Sequence, residues 1–430
     1  MRRIFLNILC VMALGAMAAQ AQVYTIEQCR EMALQHNEDL RKAGISVERA
    51  ELDKQIAFSN YLPTLDGSFS ALAMKEIDLS GTKLLLQGTY LAGITLMQPI
   101  FVGGKIYNGN KLAKVGKQVA EEQLRQQRQQ CIADVDKAYY TLVSVEAKVK
   151  MLETLHAQLD TIMRQVKASV SAEMATNADA LRVQAKQSEV AYNLEKARNG
   201  ESLCRMVLCS EIGIDLDTPI EVEEPAQPSG DDALSADFSQ RPELAMLNHA
   251  IEAKRLQVKM ATAEMLPTVA LSLGYTYYGN IKLKGVAMGP DGNYYPYEQS
   301  MKDGLPMAFL TVQVPIFHWG SHKKIKQARL DVESARYDLE KNQRLMSIEV
   351  QQAIKNVEDA RRMISTATLG QQQADENLRI MRLRHDAKLS TLTDLLDAES
   401  QWQQAHANLI EAETQYRICH TEYLRVTGQL

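Results

Sequence analysis

Asp394 and Asp397 stand three residues apart, a spacing that puts both carboxylates on one face if the segment is helical. Repeated around a ring, such a face attracts cations and repels anions; alone, it faces solvent or a neighbouring arginine. His318 and His322 are four apart, as metal ligands often are, but no third ligand is near and the pair flanks Trp319-Gly320, so a structural role is the simpler reading. There is no phosphate-binding glycine loop, no HExxH and no nucleophile with a partner base. An enzymatic role therefore has no residue to stand on, and neither a cofactor nor a resident metal is implied.

Whatever positions the aspartates is long. Of 430 residues 46% are hydrophobic and only 6% aromatic, with 22 glycines and 11 prolines. That is the composition of long exposed helices rather than of a compact enzyme core. Residues 1–21 read as a secretory signal, with Arg2 and Arg3, an apolar run from Ile4 to Met17 and a small-x-small site at Ala19-Gln20-Ala21; an uncleaved anchor helix is the alternative. Cys10 follows Leu9, where a lipobox needs a small residue. Losing the two arginines makes the formal charge of −5 two units more negative, which does not suit a nucleic-acid binder. Cys29, Cys131, Cys204, Cys209 and Cys419 remain, an odd and scattered set that reads as packing rather than as a disulfide framework.

The prolines mark boundaries. None falls in 1–62, 100–218 or 316–430, so these stretches can be continuous helices. Within them Ile132, Val135, Tyr139, Leu142, Val145 and Val149 begin a seam of three- and four-residue steps that continues to Val166, and Trp402, Ala405, Leu409, Ala412, Tyr416, Cys419 and Tyr423 keep another. A helix from about 105 to 170 would be roughly 100 Å long. A compact chain of this size has a radius of gyration of about 22 Å, so the helices must run side by side in an elongated body.

Between the helices the period changes to two. Val269, Leu271, Leu273, Tyr275 and Tyr277 alternate with Thr268, Ala270, Ser272, Gly274 and Thr276, and three further segments alternate likewise. Each has about the 9–11 residues with which a tilted strand crosses a bilayer; a soluble sandwich is the alternative. Tyr275, Tyr277 and Tyr278 suit an aromatic girdle at the membrane interface. Tyr294, Tyr295 and Tyr297 fall in a Gly/Pro-containing stretch read as a loop.

The pattern occurs twice. Leu62-Pro63-Thr64 matches Leu266-Pro267-Thr268, Pro99-Ile100-Phe101 matches Pro315-Ile316-Phe317, and Asp179 and Gly213 correspond to Asp394 and Gly428 at one offset. The first repeat spans 22–210, with a helix at 24–61, strands at 64–74 and 88–98, and long helices at 103–170 and 175–210. The second spans 241–430, with a helix at 241–264, strands at 268–278 and 306–316, and long helices at 320–386 and 391–427. The acidic segment 211–240, which has no Lys or Arg, reads as an irregular linker or equatorial collar; an acidic docking site is the other reading. Four strands cannot close a barrel, which needs about eight, so copies of the chain must pool their strands.

The duplicated plan, the Leu-Pro-Thr helix ends, the Pro-Ile-Phe strand exits and Asp394-Leu395-Leu396-Asp397-Ala398 together resemble the TolC family of outer-membrane efflux proteins over essentially the whole mature chain. The resemblance implies a mainly α protein with a membrane β-barrel portion: a homotrimer whose twelve-stranded β-barrel sits in outer-membrane lipid and continues as an α-helical barrel across the periplasm. Its implied partners are a periplasmic adaptor, or membrane fusion, protein and an inner-membrane transporter, and its implied function is a passive exit duct for efflux or type I secretion. It also implies that Asp394 and Asp397 form the periplasmic constriction. Arg384 to Ser390 should be the turn at one hairpin tip, with 169–175 its counterpart. The family's tip latch pairs an aspartate, here Asp179, with tyrosine and arginine positions that fall on His385 and Ser390, and its turn glycines are replaced by Glu173 and Lys388. Ser390 cannot form a salt bridge, so the tip is expected to be held by other contacts. The competing reading is a periplasmic coiled-coil adaptor with a soluble β domain.

Overall fold

The computed structural model describes residues 22–72, 77–79, 82–85, 89–224 and 233–430, so the signal expected at 1–21 lies outside the described residues. The first half contains β1 (Gln22–Tyr24), α1 (Ile26–His36), α2 (Glu38–Ser59), β2 (Thr64–Leu72), β3 (Ile77–Leu79), β4 (Thr82–Leu85), β5 (Thr89–Val102), α3 (Lys105–Ser171), α4 (Asn177–Ile212) and β6 (Ile220–Val222). The second contains α5 (Pro242–Ala263), β7 (Thr268–Met288), β8 (Tyr294–Gln313), α6 (Ser321–Asp386) and α7 (Leu392–Thr427).

Two compact units cut across the two repeats. One comprises Met1–Ile45, Glu122–Ala245 and Glu340–Leu430; the other Ser46–Glu121 and Met246–Leu339. The halves are thus not separate bodies, because β5 of the first repeat pairs along most of its length with β7 of the second.

The second unit holds the sheet. Its ladder runs β2-β5-β7-β8, all antiparallel, and β4 extends the β5 side of β7 and pairs in turn with β3. Residues opposite each other in register share a face. One face is apolar: Leu65 and Phe69 on β2, Tyr90, Ala92, Ile94 and Leu96 on β5, Val269 to Tyr277 at odd positions on β7, and Ala308, Leu310 and Val312 on β8. The other is mixed: Thr64, Asp66, Ser68, Thr95, Ser272, Thr276 and Thr311 share it with Leu91, Met97, Leu305 and Phe309. In the isolated chain Leu65, Phe69 and Leu310 are 69%, 72% and 64% exposed.

Three expectations for this unit are corrected. β7 and β8 run about ten residues further than 278 and 306, so Tyr294, Tyr295 and Tyr297 belong to β8 and not to a loop; Pro296 and Pro306 are tolerated because β8 is an edge strand, with a ladder partner only on its β7 side among the described residues. β8 stops at Gln313, before Pro315, whose ring removes a ladder donor. The register slips between Tyr278 and Ile281, where Asn280 has φ 61°, a left-handed conformation that Asn accepts more readily than most residues.

The first unit is helical. Along α3, Val135, Tyr139, Leu142, Leu155 and Leu159 are buried in the seam, against Val183 and Val190 of α4 at one level and against Leu208, Cys209 and Ile212 at another. The helix expected over 24–61 is broken at Asn37, whose Oδ1 accepts from the Asp39 and Leu40 amides and so starts α2 afresh. The acidic segment is not wholly irregular either: β6 pairs in parallel with β1, and Tyr139 Oη donates to the carbonyls of Tyr24 and Glu223 beside that pair. α4 and α7 each end on a left-handed glycine, Gly213 and Gly428, at equivalent places in the two repeats. All five described cysteines are free thiols, and Cys29, Cys131 and Cys209 share one apolar core.

One polar tie in this unit centres on Asp136 of α3, which is fully buried. It accepts from Arg30 Nε at 2.7 Å and Nη2 at 2.6 Å, and from Thr421 Oγ1 at 2.7 Å, joining α1, α3 and α7. Asp136→Ala leaves the guanidinium and the hydroxyl without their acceptor and should cost about 3–5 kcal/mol in a denaturant titration; a loss under about 1 kcal/mol would mean that water replaces the carboxylate.

Candidate functional site

The residues singled out in the sequence gather at two helix-to-helix turns in the helical unit, and the two are built alike. At the first, the Glu173 amide donates to Val170 O and the Met174 amide to Ser169 O; at the second, Lys388 donates to His385 O and Leu389 to Arg384 O. Both are Schellman closures, in which the residue after the helix must turn left-handed. Glu173 and Lys388 sit there with φ 62°. Side chains thus occupy positions that glycine would fill without strain, at a cost on the order of 1 kcal/mol each.

The next helix starts the same way at each turn. Thr176 caps α4 and Thr391 caps α7, and three residues on Asp179 and Asp394 complete the capping boxes. Asp179 Oδ2 accepts from the Thr176 amide at 3.1 Å and hydroxyl at 2.8 Å; Asp394 Oδ2 accepts from the Thr391 amide at 2.9 Å and hydroxyl at 2.8 Å. These bonds hold both carboxyls below the usual carboxylate range, for Asp179 through the Thr176 hydroxyl first and for Asp394 through the Thr391 amide first. Asp397, one turn on, is exposed.

Asp179 is engaged by Thr176 and, at 3.9 Å, by Arg182. His385 supplies its carbonyl to the turn, and Ser390 Oγ is buried with no hydrogen-bond partner among the described residues. Contact between the two turns comes from a residue the sequence reading passed over: Arg182 Nη1 donates to Thr393 Oγ1 at 3.0 Å. The offset that carries Asp179 onto Asp394 carries Arg182 onto Asp397, so comparing the halves position by position would have exposed this exchange of charge.

A second missed group lies one turn deeper. Glu399 of α7 is fully buried, and its Oε1 accepts from Arg382 Nη2 of α6 at 2.8 Å. The same Nη2 donates to Gln158 Oε1 of α3 at 2.6 Å, while Glu399 Oε2 is buried without a hydrogen-bond partner among the described residues. Desolvation raises the Glu399 pKa, and Arg382 only partly opposes it. A group whose pKa is higher folded than unfolded contributes stability that is complete below its unfolded value and is lost as pH rises through the folded one. Glu399→Gln should therefore lessen the fall in unfolding midpoint as pH is raised from about 4.5; an unchanged slope would assign that fall to other carboxyls.

In the sheet, Tyr275 and Tyr277 lie on the apolar face, whereas Tyr278, opposite Leu91 and Asp303, lies on the other, so the three cannot share one girdle. Phe69 and Tyr90 join Tyr277 instead: ring centroids are 6.2 Å apart from Phe69 to Tyr90 and 6.2 Å from Tyr90 to Tyr277. Tyr90 and Tyr275 also lie over Gly279 and Gly304 of the neighbouring strands, where a Cβ would collide with the rings. Among the described residues no three metal-type side chains gather at His318 and His322 or elsewhere.

The chain as a whole is similar to known proteins. The outer membrane efflux protein BepC of Brucella suis is 22% identical over 401 residues, 93% of this chain and 84% of its own. The fold matches the outer membrane protein VceC of Vibrio cholerae, with a TM-score of 0.77 at 18% identity and coverage of 94% of this chain and 96% of the other. It also matches the open state of the Neisseria gonorrhoeae MtrE outer membrane channel, with a TM-score of 0.75 at 19% identity and coverage of 94% and 89%. The sequence signature of outer membrane efflux proteins fits residues 29–200 and 234–428, and the chain belongs to that family.

Proposed function

We propose that this protein is the passive outer-membrane exit duct of a tripartite efflux or secretion system, assembled as a homotrimer. The observation that carries the reading is the sheet. It pairs an apolar, largely exposed face with a mixed one, on which serines and threonines alternate with Leu91, Met97, Leu305 and Phe309, and among the described residues its outer strands β2 and β8 each have a ladder partner on one side only. A soluble sandwich would bury that apolar face, and a lone sheet in lipid would leave unpaired backbone groups that cost several kcal/mol each. Joining β2 of one copy to β8 of the next removes both edges; three copies give twelve strands of the four-strand ladder. Phe69, Tyr90, Tyr275 and Tyr277 would then form one aromatic girdle, and Tyr278 would face the lumen.

In this reading the two hairpin tips form the periplasmic entrance, held by Arg182 and Thr393 in place of the family's tyrosine and arginine. Asp394 and Asp397 supply the constriction. Asp394 does so while capping α7, and its depressed pKa keeps its charge into acidic conditions. The duct catalyses nothing; a periplasmic adaptor opens it and an inner-membrane transporter supplies the energy.

Planar-bilayer conductance of the detergent-extracted protein tests this. The wild type should form small cation-selective channels, and Asp394→Asn with Asp397→Asn, which keeps the cap acceptors but removes the charge, should reduce cation selectivity severalfold. Selectivity equal to wild type would make the aspartates caps and surface groups only, and a protein that stays soluble without detergent and never conducts would restore the adaptor reading. Asp179→Ala should change conductance less than Asp394→Ala, while Arg182→Ala should raise the frequency of wide openings.

A further inference from the structure

The duplication lets one half of the sheet serve as a template for the other. Leu62-Pro63-Thr64 and Leu266-Pro267-Thr268 fix how β2 maps onto β7, and Pro99-Ile100-Phe101 and Pro315-Ile316-Phe317 fix how β5 maps onto β8. Carried across at these offsets, the β2–β5 ladder becomes the β7–β8 ladder residue for residue: Thr64 opposite Met97 becomes Thr268 opposite Gln313. The chain makes the other junction, β5 of the first half on β7 of the second, only once. There Leu96 lies opposite Leu273, Met97 opposite Ser272 and, past a slip between Pro99 and Phe101, Val102 opposite Thr268. Its counterpart is β8 on β2, which four strands cannot close by themselves.

The surfaces of that missing junction are present and uncovered. β5 runs on past Met97, its last partner on β2, as far as Val102, and β7 alone holds this extension as a strand. Val314–His318 are the counterpart, with the same Pro-Ile-Phe at their centre, yet they are irregular and Ile316 is 93% exposed. Pro315 withdraws one donor, but β5 carries Pro99 at the equivalent place and continues. What differs is the partner: β7 begins at Thr268, opposite Gln313, so among the described residues nothing lies alongside Val314–His318. The helix ahead of each strand shows the same contrast. Leu256 and Ala263 of α5 are both 4% exposed, whereas their counterparts on α2, Leu52 and Ser59, are exposed, Leu52 by 56%.

We propose that the internal junction is repeated between copies: β8 of one copy, lengthened to His318, pairs antiparallel with β2 of the next in the register of β5 on β7. The partner is a second copy of this chain, and Val314–His318 become strand only on it. Carrying the β5–β7 pairs across sets Leu310 opposite Ala71, Val312 opposite Phe69, Gln313 opposite Ser68 and, past the same slip, His318 opposite Thr64. The side chains agree with this register independently. Leu310 and Val312 meet Ala71 and Phe69 on the apolar face, and Gln313 meets Ser68 on the mixed one, whereas a slip of one residue would set Phe69 against Thr311 or Gln313. The equivalence ends at Trp319, which stands where Gly103 fits closely against Ala263 and Leu266, so the turn into α6 takes its own path. The seam rests on the duct reading, which supplies the copies.

Cross-linking of the full chain in detergent tests the seam. Residues directly opposite on antiparallel strands have Cα atoms about 4.5–5.5 Å apart, within reach of a disulfide, whereas a diagonal neighbour two residues along is about 7–8 Å away and beyond it. Under mild oxidation Ser68→Cys with Gln313→Cys should link copies into a ladder on a denaturing gel, and Thr64→Cys with His318→Cys should do the same. Ser68→Cys paired with Thr311→Cys or with Pro315→Cys should lose the linked species, and each single variant controls for the native thiols. A ladder led by either shifted pair, or none from any pair, overturns the seam; linkage in the first pair without the second overturns the extended strand. Should the cysteine pairs spoil folding, amide hydrogen exchange of the unmodified protein decides: protection at alternate amides of Val314–His318 supports the proposal, and uniformly fast exchange there counts against it. Conductance of the same preparations separates the two readings. Normal channels without any linked copies leave the duct intact and remove only this seam, while the absence of both removes the duct as well.

Discussion

The antiparallel ladder between β5 and β7 carries two similar half-chains into a single sheet, and much of the remaining architecture follows from it. Each half has one pair of long strands among the described residues, with one apolar and one mixed face, and a two-stranded ribbon of that kind is marginal by itself. Pairing Tyr90 through Val102 with Thr268 through Gly279 doubles the sheet and aligns the apolar faces. Among the described residues it leaves β2 and β8 each with a ladder partner on one side only, and the proposal that copies of the chain join rests on those two edges.

The long helices were legible because their signals are local and repeated. Proline gaps bounded them, and seams such as Val135-Tyr139-Leu142 kept their period for many turns. What escaped the sequence was set by partners far along the chain. Residues 220–222 read as linker because three residues carry no period; they become a strand only when β1 lies alongside. β7 and β8 run on past 278 because each supplies the other's ladder, while Gly, Pro and Asn in 279–296 mimic a loop. Asn37 was missed because a cap inside a proline-free stretch looks like any polar helix residue.

The hairpin turns show a different limit. Asp179 and Asp394 were found, but the sequence could not show that each is bound first to its own capping threonine. Nor does spacing reveal Glu399: its importance comes from burial beside Arg382 and from an oxygen left without a partner, both products of packing. A charged group in an apolar seam is costly wherever the seam stays shut.

The bulge at Asn280 also separates two design problems that an uninterrupted strand would tie together. Side chains on a strand alternate strictly, so a one-residue insertion anywhere along β7 would invert the facing of everything beyond it. Because the phase is reset at a single defined place, the hairpin beyond Asn280 can change length by two residues at a time without altering which residues of the ladder below it share a face. The two stretches of β7 are therefore free to diversify on separate rhythms.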